Sequence, residues 1–285
     1  MRQRISDRNV FPRFNIPDEY HKLHGLFCDK SAFGKSDAIN GRLSPIFSYN
    51  DCLNALFLDW DLRGTFTSLT EMYDSLQISE FDFMTDPTED RLLDYIQFVF
   101  NAVAYVNHTV KHHVKSFYRN GDTIFNAIID NCTQTLIHLN ARIETEGSEC
   151  FVVYKDDVAA AISEKHPEFR DSIVTYLKID NRGDLTRKGE ILCTLAKRLE
   201  PYEKKLNSTE FKKLCNDTTF LLNKTGARHN ASPEDPYATR FADMSIEELE
   251  PWYDSAFSLF LACMAVMPYL ETKKEIQRFK ESVND

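Results

Sequence analysis

The chain has 285 residues with 34 Lys and Arg against 44 Asp and Glu, a formal charge of −10, which argues against a protein that coats polyanions by bulk charge. Apolar residues make up 42% and charged residues 27%, the balance of a packed globule, which excludes a disordered chain. Nine glycines in this length, beside plentiful Leu, Ala, Glu and Lys, favour long helices over a turn-rich β fold.

Residues 1–48 hold three prolines and three glycines with no sustained hydrophobic period, and read as an irregular N-terminal arm. The first residues are charged with no apolar stretch behind them, so no signal peptide is expected. Residues 49–76 read as two short helices broken near Gly64, with Trp60 facing inward. Asp86-Pro87-Thr88-Glu89 is a helix start, with Asp86 as cap and Pro87 in the first helical position. The helix behind it places Leu92, Ile96, Val99, Val103, Val106 and Val110 on one seam. After Asn120-Gly121-Asp122 a second seam runs through Phe125, Ile128, Cys132, Leu136, Leu139 and Ile143, so residues 92–143 are expected to form a long antiparallel helical hairpin.

Residues 149–154 are β-branched and aromatic, and read as one extended segment. Helices are expected over 156–165, 168–178 and 186–206, the last kinked or restarted at Pro201. Another helix is expected over 209–224, followed by a loop of 225–244 and a final helix of 246–270 behind the capping box Ser245-Ile246-Glu247-Glu248. The longest apolar run, Ala256 to Leu270, is shorter than the roughly 20 residues of a membrane span and contains Pro268, so it reads as a core helix. The fold class expected is all-α: a multi-helix bundle divided into an arm of 1–48, an N-terminal helical region of 49–146 and a C-terminal region of 147–285.

Chemistry-bearing motifs are few. Seven cysteines lie far apart with no Cys-x-x-Cys spacing, which suits a reducing, cytoplasmic compartment and offers no zinc ribbon. His108 and His112 are four apart on a helix and could face one metal, yet no glutamate follows His108 as a zincin helix requires, and no metal site is expected. There is no Gly-x-Ser-x-Gly, Walker loop or Gly-rich dinucleotide turn. From Thr186 to His229 ten Lys and Arg face five acids, a local positive excess that suits an RNA or phosphate ligand, or else a solvated helix face.

The segment Leu221 to Asn230 ends in Arg228-His229-Asn230, where a helix gives way to the long loop. Arginine offers a planar cationic fork for phosphate, and histidine exchanges a proton near neutral pH. Together they can hold a phosphodiester and activate the neighbouring 2′-hydroxyl without metal. In the alternative, Arg228 pairs with a loop acid such as Asp235 and Asn230 caps a turn.

Three motifs, Arg198-Leu199-Glu200-Pro201-Tyr202, Leu221-Leu222-Asn223 with Arg228-His229-Asn230, and Trp252-Tyr253-Asp254, resemble those of helical proteins from bacterial abortive-infection (phage-defence) systems. The region from 154 to 254 is similar to HEPN domains, all-α units that often pair and act as metal-independent ribonucleases. That family's usual motif places a His four to six residues after an Arg. Here residue 233 is Pro and no His follows His229, so the adjacent Arg228-His229 pair stands in its place. The resemblance implies an RNA-binding protein, with RNA cleavage as the finer expectation. Arg228 would hold the phosphate, His229 would act as general acid or base, and Asn230 would orient it, with Lys224 and Arg240 adding charge. No cofactor is implied, and the expected partners are RNA and a second copy of the chain, with neither membrane nor DNA. A non-catalytic protein-interaction module is the alternative, and a metal hydrolase on His108 and His112 is a third reading.

Overall fold

A computed structural model describes residues 14–36, 43–113, 121–226, 240–241 and 243–284, with the side chains at 34–36, 43–46, 111–113, 121, 225–226, 274 and 283–284 outside that description. The chain divides into two compact units, Met1–Tyr154 and Lys155–Asp285. Both are predominantly helical, with two small antiparallel hairpins in the first.

The first unit opens with a helix where an irregular arm was expected. Helix α1 (Ile16–Phe27) is capped by Asn15, whose side chain accepts from the Asp18 amide at 3.1 Å, and Pro17 and two acids occupy its first turn. It buries Tyr20, Leu23 and Phe27. Three core positions over three turns, interleaved with histidines and Gly25, leave too sparse a stripe for periodicity to register. Strands β1 (Phe33–Ser36) and β2 (Leu43–Phe47) then pair antiparallel. Helix α2 (Tyr49–Leu56) starts at a Ser48–Asp51 capping box. As expected, the chain breaks at Gly64 (φ 56°) and Trp60 is buried, before α3 (Leu69–Leu76) and α4 (Glu80–Thr85).

Helix α5 (Glu89–His113) buries every residue of its expected seam from Leu92 to Val110. Its start differs from the expectation. Thr88 accepts from the Arg91 amide at 3.3 Å, while Asp86 closes α4 and binds the Arg91 guanidinium at 2.9 Å. Helix α6 (Gly121–His138) buries Ile128, Cys132 and Leu136, and lies against α1 as well as α5.

The helix expected to reach Ile143 instead ends at His138. Asn140 takes a left-handed conformation (φ 50°), and the chain turns into β3 (Ala141–Glu146), paired antiparallel with β4 (Glu149–Tyr154). Gly147 (φ 63°) occupies the first central position of their two-residue turn and Ser148 keeps a negative φ, the pattern of a type II′ hairpin. Helix α5 completes the edge of β4. Gln97 Oε1 accepts from the Val152 amide at 2.7 Å, and Asn101 both donates to the Cys150 carbonyl and accepts from the Cys150 amide at 2.8 Å. Residues four apart share a helix face and residues two apart share a strand edge, so two amide side chains substitute for a third strand. The hairpin belongs to the first unit, and the division falls after Tyr154.

The core beside it is aromatic. Tyr20 stacks on Phe83 at 3.9 Å, and His24 Nδ1 meets the Tyr95 hydroxyl at 2.9 Å. Burial lowers the His24 pKa and raises those of Tyr20 and Tyr95, so this cluster is held in its neutral form.

The second unit follows the expected helices closely. Asp156 caps α7 (Asp157–Lys165), Pro167 opens α8 (Pro167–Leu177), and Asp184 caps α9 (Leu185–Asn207). Helix α9 continues through Pro201 as one element. Helix α10 (Lys212–Gly226) packs against both α9 and α11 (Ile246–Ala265). The Ser245–Glu248 capping box forms as expected. The last helix is divided at Val266, because Pro268 fits the first turn of a new helix, α12 (Met267–Asn284). Leu192, Leu195 and Leu199 of α9 meet Leu249, Tyr253, Phe257 and Phe260 of α11 in a common core. The stretch beginning at Ile246 is, among the described residues, the one long and apolar enough to cross a membrane, and these buried α11 side chains show that its apolar face is used in the core. Gly189 lets α9 approach closely: a Cβ there would lie 3.3 Å from Tyr253 Cε1.

Candidate functional site

Arg228, His229 and Asn230 lie outside the described residues, as does Asp235. The structure places both flanks of their segment. On one side Leu221 and Leu222 are buried on α10, with Lys224 half-buried two residues before its end. On the other, Arg240 is exposed and Phe241 is buried, its ring edge-on to Trp252 of α11 at 5.7 Å. Helices α10 and α11 are in direct contact, since Thr218 Oγ1 lies 3.2 Å from Cys263 Sγ and 3.4 Å from the Leu259 carbonyl. The segment therefore leaves and rejoins one packed helical pair.

Arg198, Tyr202 and Asp254, also part of the resemblance, hold helices together. Arg198 donates to the Glu168 carbonyl, and the Tyr202 hydroxyl donates to the Glu168 carboxylate at 3.1 Å, which fastens α9 to the first turn of α8. Its own backbone amide, with the Tyr202 hydroxyl and nearby His166, keeps the Glu168 carboxyl below its ordinary range.

Trp252-Tyr253-Asp254 has three separate fates: Trp252 is partly exposed, Tyr253 is buried against Gly189, and Asp254 enters an ionic cluster that was not anticipated from the sequence. Lys188 on α9 is only 6% exposed. Its Nζ lies 2.7 Å from Glu250 Oε1 and 2.8 Å from Asp254 Oδ1, and 5.1 Å above the Tyr176 ring. The Tyr176 hydroxyl donates to the same Asp254 oxygen at 2.8 Å, and the Gly183 amide donates to Glu250 at 2.9 Å. Burial pushes the Glu250 carboxyl up, but the Lys188 ammonium and the Gly183 amide outweigh it and hold the pKa below its usual value. Burial, then Asp254, drives the Tyr176 phenol far above its ordinary range. Lys188 answers both carboxylates, and the Tyr176 hydroxyl and Gly183 amide add to their hydrogen bonding, so the cluster clamps α8, α9 and α11 rather than offering a base to a substrate. A signal for it does exist in the sequence: Lys188 shares a helical face with Ile191, Leu192 and Leu195, and a lysine on an apolar face requires an acid from another element.

The local positive excess is thus partly internal. Lys188 is buried, Arg187 faces Glu190 at 3.4 Å, Lys205 faces Glu271 at 3.4 Å, and Arg198 is engaged with α8. Between the end of α9 and α12 lies an open groove of about 950 Å³ lined by Lys205, Thr209, Lys273 and Arg278 among others. Lys273 within it pairs with Glu210 at 2.7 Å, so two of its cations are already matched.

His108 is exposed on α5, while the side chains of His112 and His113 lie outside the described ones. Among the described residues no three His, Cys, Asp or Glu side chains could gather round a metal ion. In the first unit, Cys28 Sγ lies 3.5 Å from His24 Nε2. Burial, with Asp51 and Glu80 nearby, pushes that thiol up to about 11, so the pair lacks the thiolate that nucleophilic chemistry needs. No protein-family model, curated protein or solved structure matches the chain.

Proposed function

We propose that the Lys155–Asp285 unit binds RNA through the segment from Lys224 to Arg240, and that Arg228, His229 and Asn230 cleave the bound strand without metal, in the cytoplasm of a bacterial abortive-infection system. One observation carries this reading. Arg198, Tyr202 and Asp254, which accompany the segment in the resemblance, are engaged between helices, and this leaves Arg228 and His229 as the cationic, proton-exchanging part of the motif that suits an RNA ligand. Arg228 binds the phosphate as a planar fork. His229 takes the proton of the 2′-hydroxyl as its oxygen attacks phosphorus, and the 5′-oxygen of the next nucleotide leaves with a proton from water, giving a 2′,3′-cyclic phosphate and a 5′-hydroxyl. Asn230 orients the imidazole.

The test uses the full chain with labelled single-stranded RNA in EDTA, reading binding by anisotropy and cleavage by end-group analysis. Binding should fall about tenfold in Arg228→Ala, the scale of one lost charge-assisted contact, and should weaken as salt is raised. His229→Ala should bind normally and leave no cyclic-phosphate ends. RNA bound and cut equally well by both variants overturns the assignment. A wild-type chain that binds no RNA at low salt overturns the RNA reading itself and favours the interaction module.

A further inference from the structure

Among the described side chains of helix α12, the buried ones lie at its start. Met267 and Leu270 are buried in the core of the second unit, Tyr269 sits edge-on to Phe211 at 6.0 Å, and Lys273 reaches Glu210 at 2.7 Å. Beyond Leu270, every described side chain through Ser282 is exposed. Three turns of helix without tertiary cover are marginal in water, where most helical stability comes from packing an apolar face. This stretch nonetheless carries large apolar side chains: Ile276 is 44% exposed and Phe279 71%.

Their spacing is regular. Tyr269, Thr272, Ile276, Phe279 and Val283 follow one another at intervals of three, four, three and four, the a and d positions of a two-stranded coiled coil. The flanking positions carry charge. Glu275 and Lys280 are five residues apart at g and e, and Lys273 occupies the preceding e. A parallel pair sets Glu275 of one helix beside Lys280 of the other, twice over by symmetry. An antiparallel pair would set Lys273 beside Lys280.

We infer that α12 is a dimerisation helix, pairing in parallel with α12 of a second copy of this chain about a twofold axis through Ile276 and Phe279. The seam is short, so the dimer is weak and depends on protein concentration. Nothing in this inference requires RNA binding.

Sedimentation velocity of the full chain over a wide concentration range tests it. The wild type should pass from monomer to dimer, and Phe279→Asp should move the midpoint at least tenfold higher; because that side chain is so exposed, the fold should persist by circular dichroism. Glu275→Lys and Lys280→Glu should each weaken association, and the two together should restore it. Ile276→Cys should form an interchain disulfide absent from the wild type, because symmetric a positions approach within the ~4.4–6.8 Å Cα separation that a disulfide needs in a parallel pair. A wild type that stays monomeric overturns the proposal, as does a dimer indifferent to Phe279→Asp. So does a dimer in which Ile276→Cys forms no crosslink or the charge swap fails to restore association.

Discussion

The two units are both helical, yet they bind their helices together by different means. In the first, the centre is aromatic and neutral: Tyr20, Phe83, Tyr95 and His24 stack and share hydrogen bonds, and the amides of Gln97 and Asn101 complete a strand edge. In the second, leucines and aromatic rings share the centre, and one buried ammonium ties α9 to α11 through two carboxylates. Neutral hydrogen bonds need little compensation on burial, whereas a buried charge tolerates the interior only while its partners remain. The first unit should therefore lose stability in modest steps when a partner is removed, and the second in one large step.

The sharpest way to break this contrast is to strip the acids from Lys188. Glu250→Ala combined with Asp254→Ala leaves a buried ammonium unpaired, and should cost the second unit about 3–5 kcal/mol in urea unfolding. Lys188→Met should cost far less, because Asp254 and Glu250 both reach solvent. Equal losses in the two variants would show that the lysine contributes through packing rather than charge. Next in size is Asn101→Ala in the first unit, which unmakes both hydrogen bonds to Cys150 and should cost about 1–3 kcal/mol, with faster hydrogen exchange at Cys150 and Val152.

Acid should separate the units further. His24 has a lowered pKa when folded, so the unfolded chain binds the extra proton more readily. The stability this gives is complete above the unfolded value of about 6.5 and is lost as pH falls through the lowered folded pKa. Glu250 is likewise lowered, but its stabilisation is complete above about 4.3 and is lost only at more acidic pH. Exchange measured unit by unit should show the first weakening before the second, and His24→Gln should flatten the first response. The smallest effect expected is at Gln77, which holds a left-handed φ of 54° at the end of α3. Gln77→Gly relieves that strain but gives up a 3.3 Å contact with Arg91 and adds freedom to the unfolded chain, so its Tm should stay within a few degrees of wild type.

What could be foreseen divides along the same line. The α5 seam was legible because a 3.6-residue period sustained over six positions has one simple solution, and all six residues are buried. The same kind of pattern misled at Leu136, Leu139 and Ile143, where three apolar residues kept helical spacing across a chain reversal; the signals for the turn were Asn140 and the Gly147-Ser148 pair. The Lys188 cluster was missed because its acids lie 62 and 66 residues away, beyond any local spacing. A count of charges along the chain also cannot separate an internal lysine from a surface one. Of the candidate site, the sequence supplied the segment, and the structure adds its two anchored flanks, Leu221–Leu222 and Phe241.

The division after Tyr154 has a consequence for biosynthesis. Each unit is one uninterrupted stretch of chain, so the N-terminal one can be made and folded while the other is still being translated. At ~5–20 residues per second that interval is on the order of ten seconds, longer than most small domains need to fold. The last piece of the first unit to be synthesised is the β3–β4 hairpin, whose edge is completed by Gln97 and Asn101 on a helix made earlier. A ribosome stalled before adding Cys150 would therefore hold a nascent chain whose helix already carries both amides with no strand yet to receive them.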